Sequence, residues 1–209
     1  MSDLLETLPS LPPLQFFAIT AEIKKGKELK KNHLLPTFSD LLAEVDFADA
    51  YMAWNEEGIL LKVEVKKPFE EVHYPDYQKG DALEFFFDTR DLKTAGFPTR
   101  FCHHFLVLPK DVQGIQVQEL STFRTEDSHA LCDPADIEVK TTFAGRGYQV
   151  EIFFPAHVLH GYEPDSFDHL GFTYRIHRAK GPSQHFALSS LFYKIEQTPS
   201  LWGRLLLKK

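Results

Sequence analysis

The sequence predicts a mostly β protein, an antiparallel β-sandwich of the immunoglobulin or jelly-roll kind carrying one or two short helices. Three observations lead there. Aromatic residues make up 13% of the chain, and its 19 phenylalanines sit in short alternating runs rather than at helical spacing, which suits strands. Clusters of Gly, Pro, Asn and Asp separate most of these runs at near-regular intervals, the pattern of a sandwich. The 209 residues are 43% hydrophobic with only 11 glycines, enough to build one domain, 1–209, around a substantial core.

In chain order, residues 14–23 read as a first strand. A basic loop follows with Lys24, Lys25, Lys27, Lys30 and Lys31, a solvated connection rather than a binding patch. Ser39 or Asp40 is expected to cap one helical turn over Leu41 and Leu42. Residues 51–54 and 59–65 form a hairpin around Asn55-Glu56-Glu57-Gly58. In its second arm Ile59, Leu61, Val63 and Val65 alternate with Leu60, Lys62, Glu64 and Lys66, the signature of a half-buried strand. Further strands are expected at 83–88, 100–108, 115–123, 137–143, 148–154, 170–178, 184–191 and 201–207, with one helical turn at 155–159.

The run Gly80-Asp81-Ala82-Leu83-Glu84-Phe85-Phe86-Phe87-Asp88 threads carboxylates through an apolar strand. Leu83, Phe85 and Phe87 share the core face, while Glu84, Phe86, Asp88 and Arg90 share the other. Ionised carboxylates are costly to bury unpaired, so Glu84 and Asp88 belong in a groove, an ion-pair network or solvent. The following stretch to Phe105 is richer in functional groups than a connecting hairpin needs. Arg100, Cys102 and His104 should share one face of their strand, with Phe101, His103 and Phe105 on the other. Near residue 180, a hairpin presents Arg175 and His177, with Gln184 nearby depending on register. Glu84, Asp88, Arg90, Arg100, His104, Arg175, His177 and Gln184 are therefore the candidate ligand-binding set. They suit a polar or anionic small molecule, or an internal salt-bridge network.

The net charge of -7 argues against a nucleic-acid or anionic-membrane binder, since neutralising phosphates needs a concentrated basic surface. No apolar run approaches the ~18 residues of a membrane helix, and no secretory leader is evident, so a cytoplasmic protein is expected. The two cysteines do not form a disulfide scaffold. No cofactor is expected. A zinc or calcium ion is the open alternative, with Cys102, His103, His129 and Cys132 as weak candidate ligands: His129-Ala130-Leu131-Cys132 has half-site spacing, but Cys102 lacks a CxxC partner. The chain carries no GxSxG, HExxH, P-loop or GxGxxG motif, which favours a non-enzyme. Glu84 and Asp88 stand ~13 Å apart by strand rise, unsuited to paired-carboxylate glycoside hydrolysis.

Tyr51-Met52-Ala53-Trp54-Asn55-Glu56-Glu57-Gly58-Ile59-Leu60 followed by Gly80-Asp81-Ala82-Leu83-Glu84-Phe85-Phe86-Phe87-Asp88 resembles the family 9 carbohydrate-binding modules, β-sandwiches of the broader DOMON-like group. The resemblance continues through Gly147-Tyr148-Gln149-Val150-Glu151-Ile152-Phe153-Phe154-Pro155, Leu170-Gly171-Phe172 with Tyr174, and residues 199–207. It spans 36–209, with 1–35 left as an N-terminal strand and basic loop. It implies a non-catalytic module for a carbohydrate or other polar small molecule. The aromatic pair that sandwiches a sugar in those modules has no counterpart in this sequence reading. Trp54 and Trp202 both fall in the recurring fold pattern and read as packing residues. The calcium found near the start of such modules lacks a carboxylate cluster, because the strand ending at Val65 runs into Lys66-Lys67-Pro68. Two alternatives stay open: a protein-interaction sandwich, and a metal-dependent enzyme using the His/Cys-rich region.

Overall fold

A computed structural model describes residues 19–209, so most of the expected first strand, 14–18, lies outside the described residues. The strands are β1 (Thr20–Lys25), β2 (Ala48–Asn55), β3 (Gly58–Val65), β4 (Ala82–Asp88), β5 (Cys102–Val112) and β6 (Ile115–Glu119). They continue with β7 (Glu138–Ala144), β8 (Gly147–Pro155), β9 (His169–His177), β10 (Gln184–His185) and β11 (Gly203–Lys208). Hydrogen bonding runs in the order β6-β5-β4-β9-β11-β1-β2-β3-β8-β7, with β10 attached to β9. Most pairs are antiparallel; β1 is parallel to both β11 and β2 and joins the two halves of the sheet.

Those halves fold face to face because each strand is apolar on its inner side. Leu83, Phe85 and Phe87 of β4 turn inward as the alternation predicts, opposite Ile59, Leu61 and Val63 of β3 and Val150, Ile152 and Phe154 of β8. Phe154 meets Phe85, Phe87 and Phe105 at ring-centroid distances of 6.2, 5.4 and 4.7 Å, which places the core between the layers. Each such ring contributes about 1.5–3 kcal/mol by burial, so this aromatic seam is where the two layers are held together. The expected β-sandwich is the fold observed. No helix among the described residues is long and apolar enough to cross a membrane.

Three local expectations are corrected. The α-helix α1 (Ser39–Leu42) has Phe38 at its N-cap, and no side chain caps it; Ser39 Oγ is held by Thr37 Oγ1 at 2.9 Å instead. Strand 184–191 shrinks to β10, because His185 bonds Glu44 and Ser190, and Ser189 Oγ accepts the Leu191 N–H in place of a neighbouring strand. Strand 115–123 stops at Glu119, whose carboxylate is held by side chains from other segments.

Candidate functional site

β4, β5 and β9 lie side by side, and their registers put Glu84 opposite Arg175 and Leu106, and Phe86 opposite His104 and Thr173. The outward faces of these strands therefore gather Glu84, His104, Arg175 and His177. Loops cover this second face, and Glu84 is fully buried there. Its Oε1 accepts from Tyr77 Oη at 3.2 Å, His104 Nε2 at 2.8 Å and Arg175 Nη2 at 3.0 Å. Its Oε2 accepts from Arg175 Nε at 2.5 Å and His177 Nε2 at 2.6 Å. Burial alone would raise the carboxyl pKa. The bonds from His104, His177 and Arg175, with the Arg175 charge, outweigh it and hold Glu84 well below the usual carboxylate range. Tyr77 is pushed up to about 12 by burial and then by the Glu84 charge, so it stays a neutral donor.

Both Glu84 oxygens are thus committed within the protein, and Glu84 acts as an anchor for its neighbours. The bonds to it use Nε and Nη2 of Arg175 and Nε2 of His104, which leaves Arg175 Nη1 and His104 Nδ1 for another partner. The His104 ring stacks on Phe86 at 4.3 Å, and Phe86 leans on Trp202 at 5.6 Å. A dimple of about 10 Å³, room for about one water, lies beside His104, between Pro98, Cys102, Ser121, Glu196 and Trp202; Arg175 does not line it. It is a polar edge backed by buried apolar rings.

The other candidates sit elsewhere. Asp88 ends β4 and accepts the backbone N–H of Arg90 at 3.0 Å and of Leu92 at 2.7 Å, which fixes the following turn; burial raises its pKa. The Arg90 guanidinium lies over Phe101 and Phe167, at 4.8 and 3.8 Å, and bonds Glu163 at 3.1 Å, tying two loops together. Arg100 precedes β5, is half exposed and pairs with Asp127. Gln184 lies opposite Ile176 and points inward, where Oε1 accepts from Phe47 N at 2.7 Å and Ala48 N at 2.8 Å and Nε2 donates to Ala48 O at 2.8 Å. It substitutes for a strand partner at the start of β2.

Both tryptophans are buried and hydrogen-bonded. Trp54 donates to the carbonyls of Ile23 and Lys208, and Trp202 to that of Ile195. Each therefore packs the fold rather than presenting a ring face.

His103 and His129 come together around Glu119. His103 Nδ1 is 2.8 Å and His129 Nε2 2.9 Å from Glu119 Oε1, and the Cys132 backbone N–H donates to Oε2 at 2.8 Å. Cys102 is not in this cluster: it packs with Phe86, Ile195 and Trp202 on the opposite face of β5. Both cysteines are free thiols, and burial first, aided by nearby carboxylates, pushes each up to about 12. Sequence reasoning missed Tyr77 and Glu119. Tyr77 lies outside the strands and had no periodic signal. Glu119 did have one: it shares Val117's buried side of β6, a carboxylate in a core position.

Ser190 Oγ, His185 and Glu44 also stand in line, at 2.9 and 2.7 Å. The Ser190 amide N–H points at the same imidazole nitrogen at 3.3 Å, so the accepting lone pair is shared with backbone and the trio works as a tie between α1 and β10. An open groove of about 630 Å³ lies on the outer face of β3, β8 and β7, lined by Leu60, Lys62, Lys140, Glu151 and Phe153 under the Lys27–Leu29 loop. It lacks a converging polar set: Lys62 is spent on Glu64 at 2.6 Å and on the Tyr51 ring at 4.1 Å.

No protein-family model matches the chain, and no curated protein matches it in sequence. Solved structures do. A family 9 carbohydrate-binding module from Caldicellulosiruptor kristjanssonii in complex with cellotriose superposes with a TM-score of 0.67 at 17% identity, covering 90% of this chain and 93% of that one. The same organism's module in complex with glucose gives 0.64 at 16% identity, covering 90% and 95%. A Bacteroides uniformis protein assigned as carbohydrate-binding gives 0.55 at 11% identity, covering 92% and 100%. The chain has the fold of the family 9 carbohydrate-binding modules.

Proposed function

We propose that this protein is a non-catalytic binding module for a carbohydrate, engaged over the outer face of β5, β4 and β9. The observation that carries the reading is the Glu84 anchor: a fully buried carboxylate that fixes Arg175, His104, His177 and Tyr77. A sugar ring offers hydroxyls that pair with fixed donors and acceptors, and apolar C–H faces that lie on aromatic rings. Arg175 Nη1 and His104 Nδ1 supply the first kind of contact, and the partly exposed His104 ring, held in place by the buried Phe86 and Trp202 behind it, supplies the second. Pre-ordering these side chains lowers the entropy lost on binding. The fold likeness to modules solved with cellotriose and glucose supports the same ligand class.

The test is calorimetric titration with mono- and oligosaccharides. Arg175→Lys, which breaks the bidentate contact, and His104→Phe, which keeps the stack on Phe86, are each expected to weaken binding roughly tenfold or more. Lys140→Ala in the outer groove should leave affinity unchanged. Loss of affinity in Lys140→Ala with none in Arg175→Lys would move the site to that groove. A protein partner is the second reading, supported by Leu191 and Phe192, adjacent apolar residues 81% and 77% exposed. It predicts that no sugar perturbs the protein.

A further inference from the structure

Glu119, His103 and His129 present a donor–acceptor mismatch that two neutral imidazoles do not resolve. A neutral imidazole has one N–H and one lone pair. Here both rings turn both nitrogens toward acceptors. His129 faces the Arg100 carbonyl with Nδ1 at 2.6 Å and Glu119 Oε1 with Nε2 at 2.9 Å. His103 faces Glu119 Oε1 with Nδ1 at 2.8 Å and the His160 carbonyl with Nε2 at 3.5 Å. Satisfying all four contacts with protons would need two cationic rings, 4.3 Å apart by centroids, against one carboxylate. Side-chain exposure is only 0% for His103, 1% for Glu119 and 4% for His129, so water cannot spread that charge.

A divalent cation resolves the mismatch. The lone pairs of His103 Nδ1 and His129 Nε2 and an oxygen of Glu119 converge, with all three ligand atoms within 4.8 Å of one another. The opposite nitrogen of each ring then carries its proton toward a backbone carbonyl, the arrangement that orients metal-bound histidines. Ligands of a tetrahedral zinc stand about 3.3 Å apart, so the present contacts need to open by only a few tenths of an ångström. Cys132 adjoins the set through its backbone N–H, which bonds Glu119 Oε2 at 2.8 Å and helps hold the carboxylate in place. Two imidazoles and a carboxylate suit zinc rather than calcium or magnesium, which prefer oxygen ligands.

We infer that His103, Glu119 and His129 form a zinc site that pins the segment after β6 against β5. The three ligands are buried and the far nitrogen of each imidazole faces a backbone carbonyl, so the ion would act as a staple between segments. It stands independently of the sugar-binding reading, though Ser121 links the two regions. Ser121 Oγ accepts the His104 backbone N–H at 2.9 Å and donates to Glu119 Oε1 at 2.8 Å.

Elemental analysis of the full chain, purified without added chelator, is expected to find about one zinc per chain. Chelation should lower Tm, and added zinc should restore it. His129→Ala and Glu119→Gln should each reduce zinc affinity by at least roughly tenfold, whereas Glu126→Gln should not. Cobalt substitution gives a second readout: visible cobalt d–d absorption present in the wild type and missing in His129→Ala. Where a ligand variant does not fold, chelation and reconstitution of the wild type decide alone. A metal-free protein whose Tm does not respond to zinc would overturn the inference and leave a hydrogen-bonded cluster.

Discussion

Glu84 shows how much one side chain can organise. Alternation along β4 put Glu84 on the non-core face, and alternation along β5 and β9 did the same for His104, Arg175 and His177, so these four members of the Glu84 cluster were legible from period two alone. Asp88, Arg90 and Arg100 lie at strand ends or in turns, where periodicity no longer sets side-chain direction. Gln184 depended on a hairpin register that the sequence left open. Glu84→Ala should destabilise the protein by about 3–5 kcal/mol in chemical denaturation, because it strands buried Arg175 without its counter-charge. The pH dependence follows from the depressed carboxyl. Its stabilising contribution is complete above the ordinary carboxylate value of 4.5 and is lost as the pH falls through the lower folded value. Tm is therefore expected to hold above about pH 5 and to fall on further acidification, less steeply in Glu84→Gln. A Tm profile that stays flat into strong acid in the wild type would contradict this charge assignment.

At the scale of elements, most strands were legible because a half-buried strand needs an apolar residue at every second position. Pairing was less so. The parallel contacts of β1 with β11 and β2 join segments far apart in sequence and leave no local signature. The β2–β3 hairpin was legible from Asn55-Glu56-Glu57-Gly58, and the structure gives the reason: Asn55 Oδ1 accepts the N–H groups of Glu57 and Gly58 at 2.8 and 3.1 Å. Gly58 has φ +149°, and a Cβ there would lie 2.2 Å from the Phe154 carbonyl oxygen. Gly114, in the β5–β6 turn, has φ +84° with nothing within 4 Å of an added Cβ. Alanine at either position meets the backbone cost of about 1 kcal/mol, but at Gly58 the clash with β8 adds to it. Denaturant midpoints should fall clearly further for Gly58→Ala than for Gly114→Ala; equal losses would show that the β3–β8 contact yields easily.

For the whole molecule, the sandwich leaves one face of β4 without a partner sheet. Its cover consists of loops and two small apolar clusters, around Phe86 and Trp202 on one side and Leu106 and Leu108 on the other. The Glu84 network sits between them, so the polar face is built into the fold rather than added at its rim. That arrangement was not legible from the sequence, since both covering segments are irregular and their placement depends on packing. Likeness in fold to sugar-binding modules establishes architecture, and ligand class rests on the polar edge itself. The most direct test is an amide chemical-shift map of the wild-type protein titrated with glucose and short glucan oligosaccharides. The result expected is a saturable set of shifts centred on Tyr77, His104, Ser121, Arg175 and Glu196. No shift with any sugar, or shifts confined to the groove of β3, β8 and β7, would contradict the account.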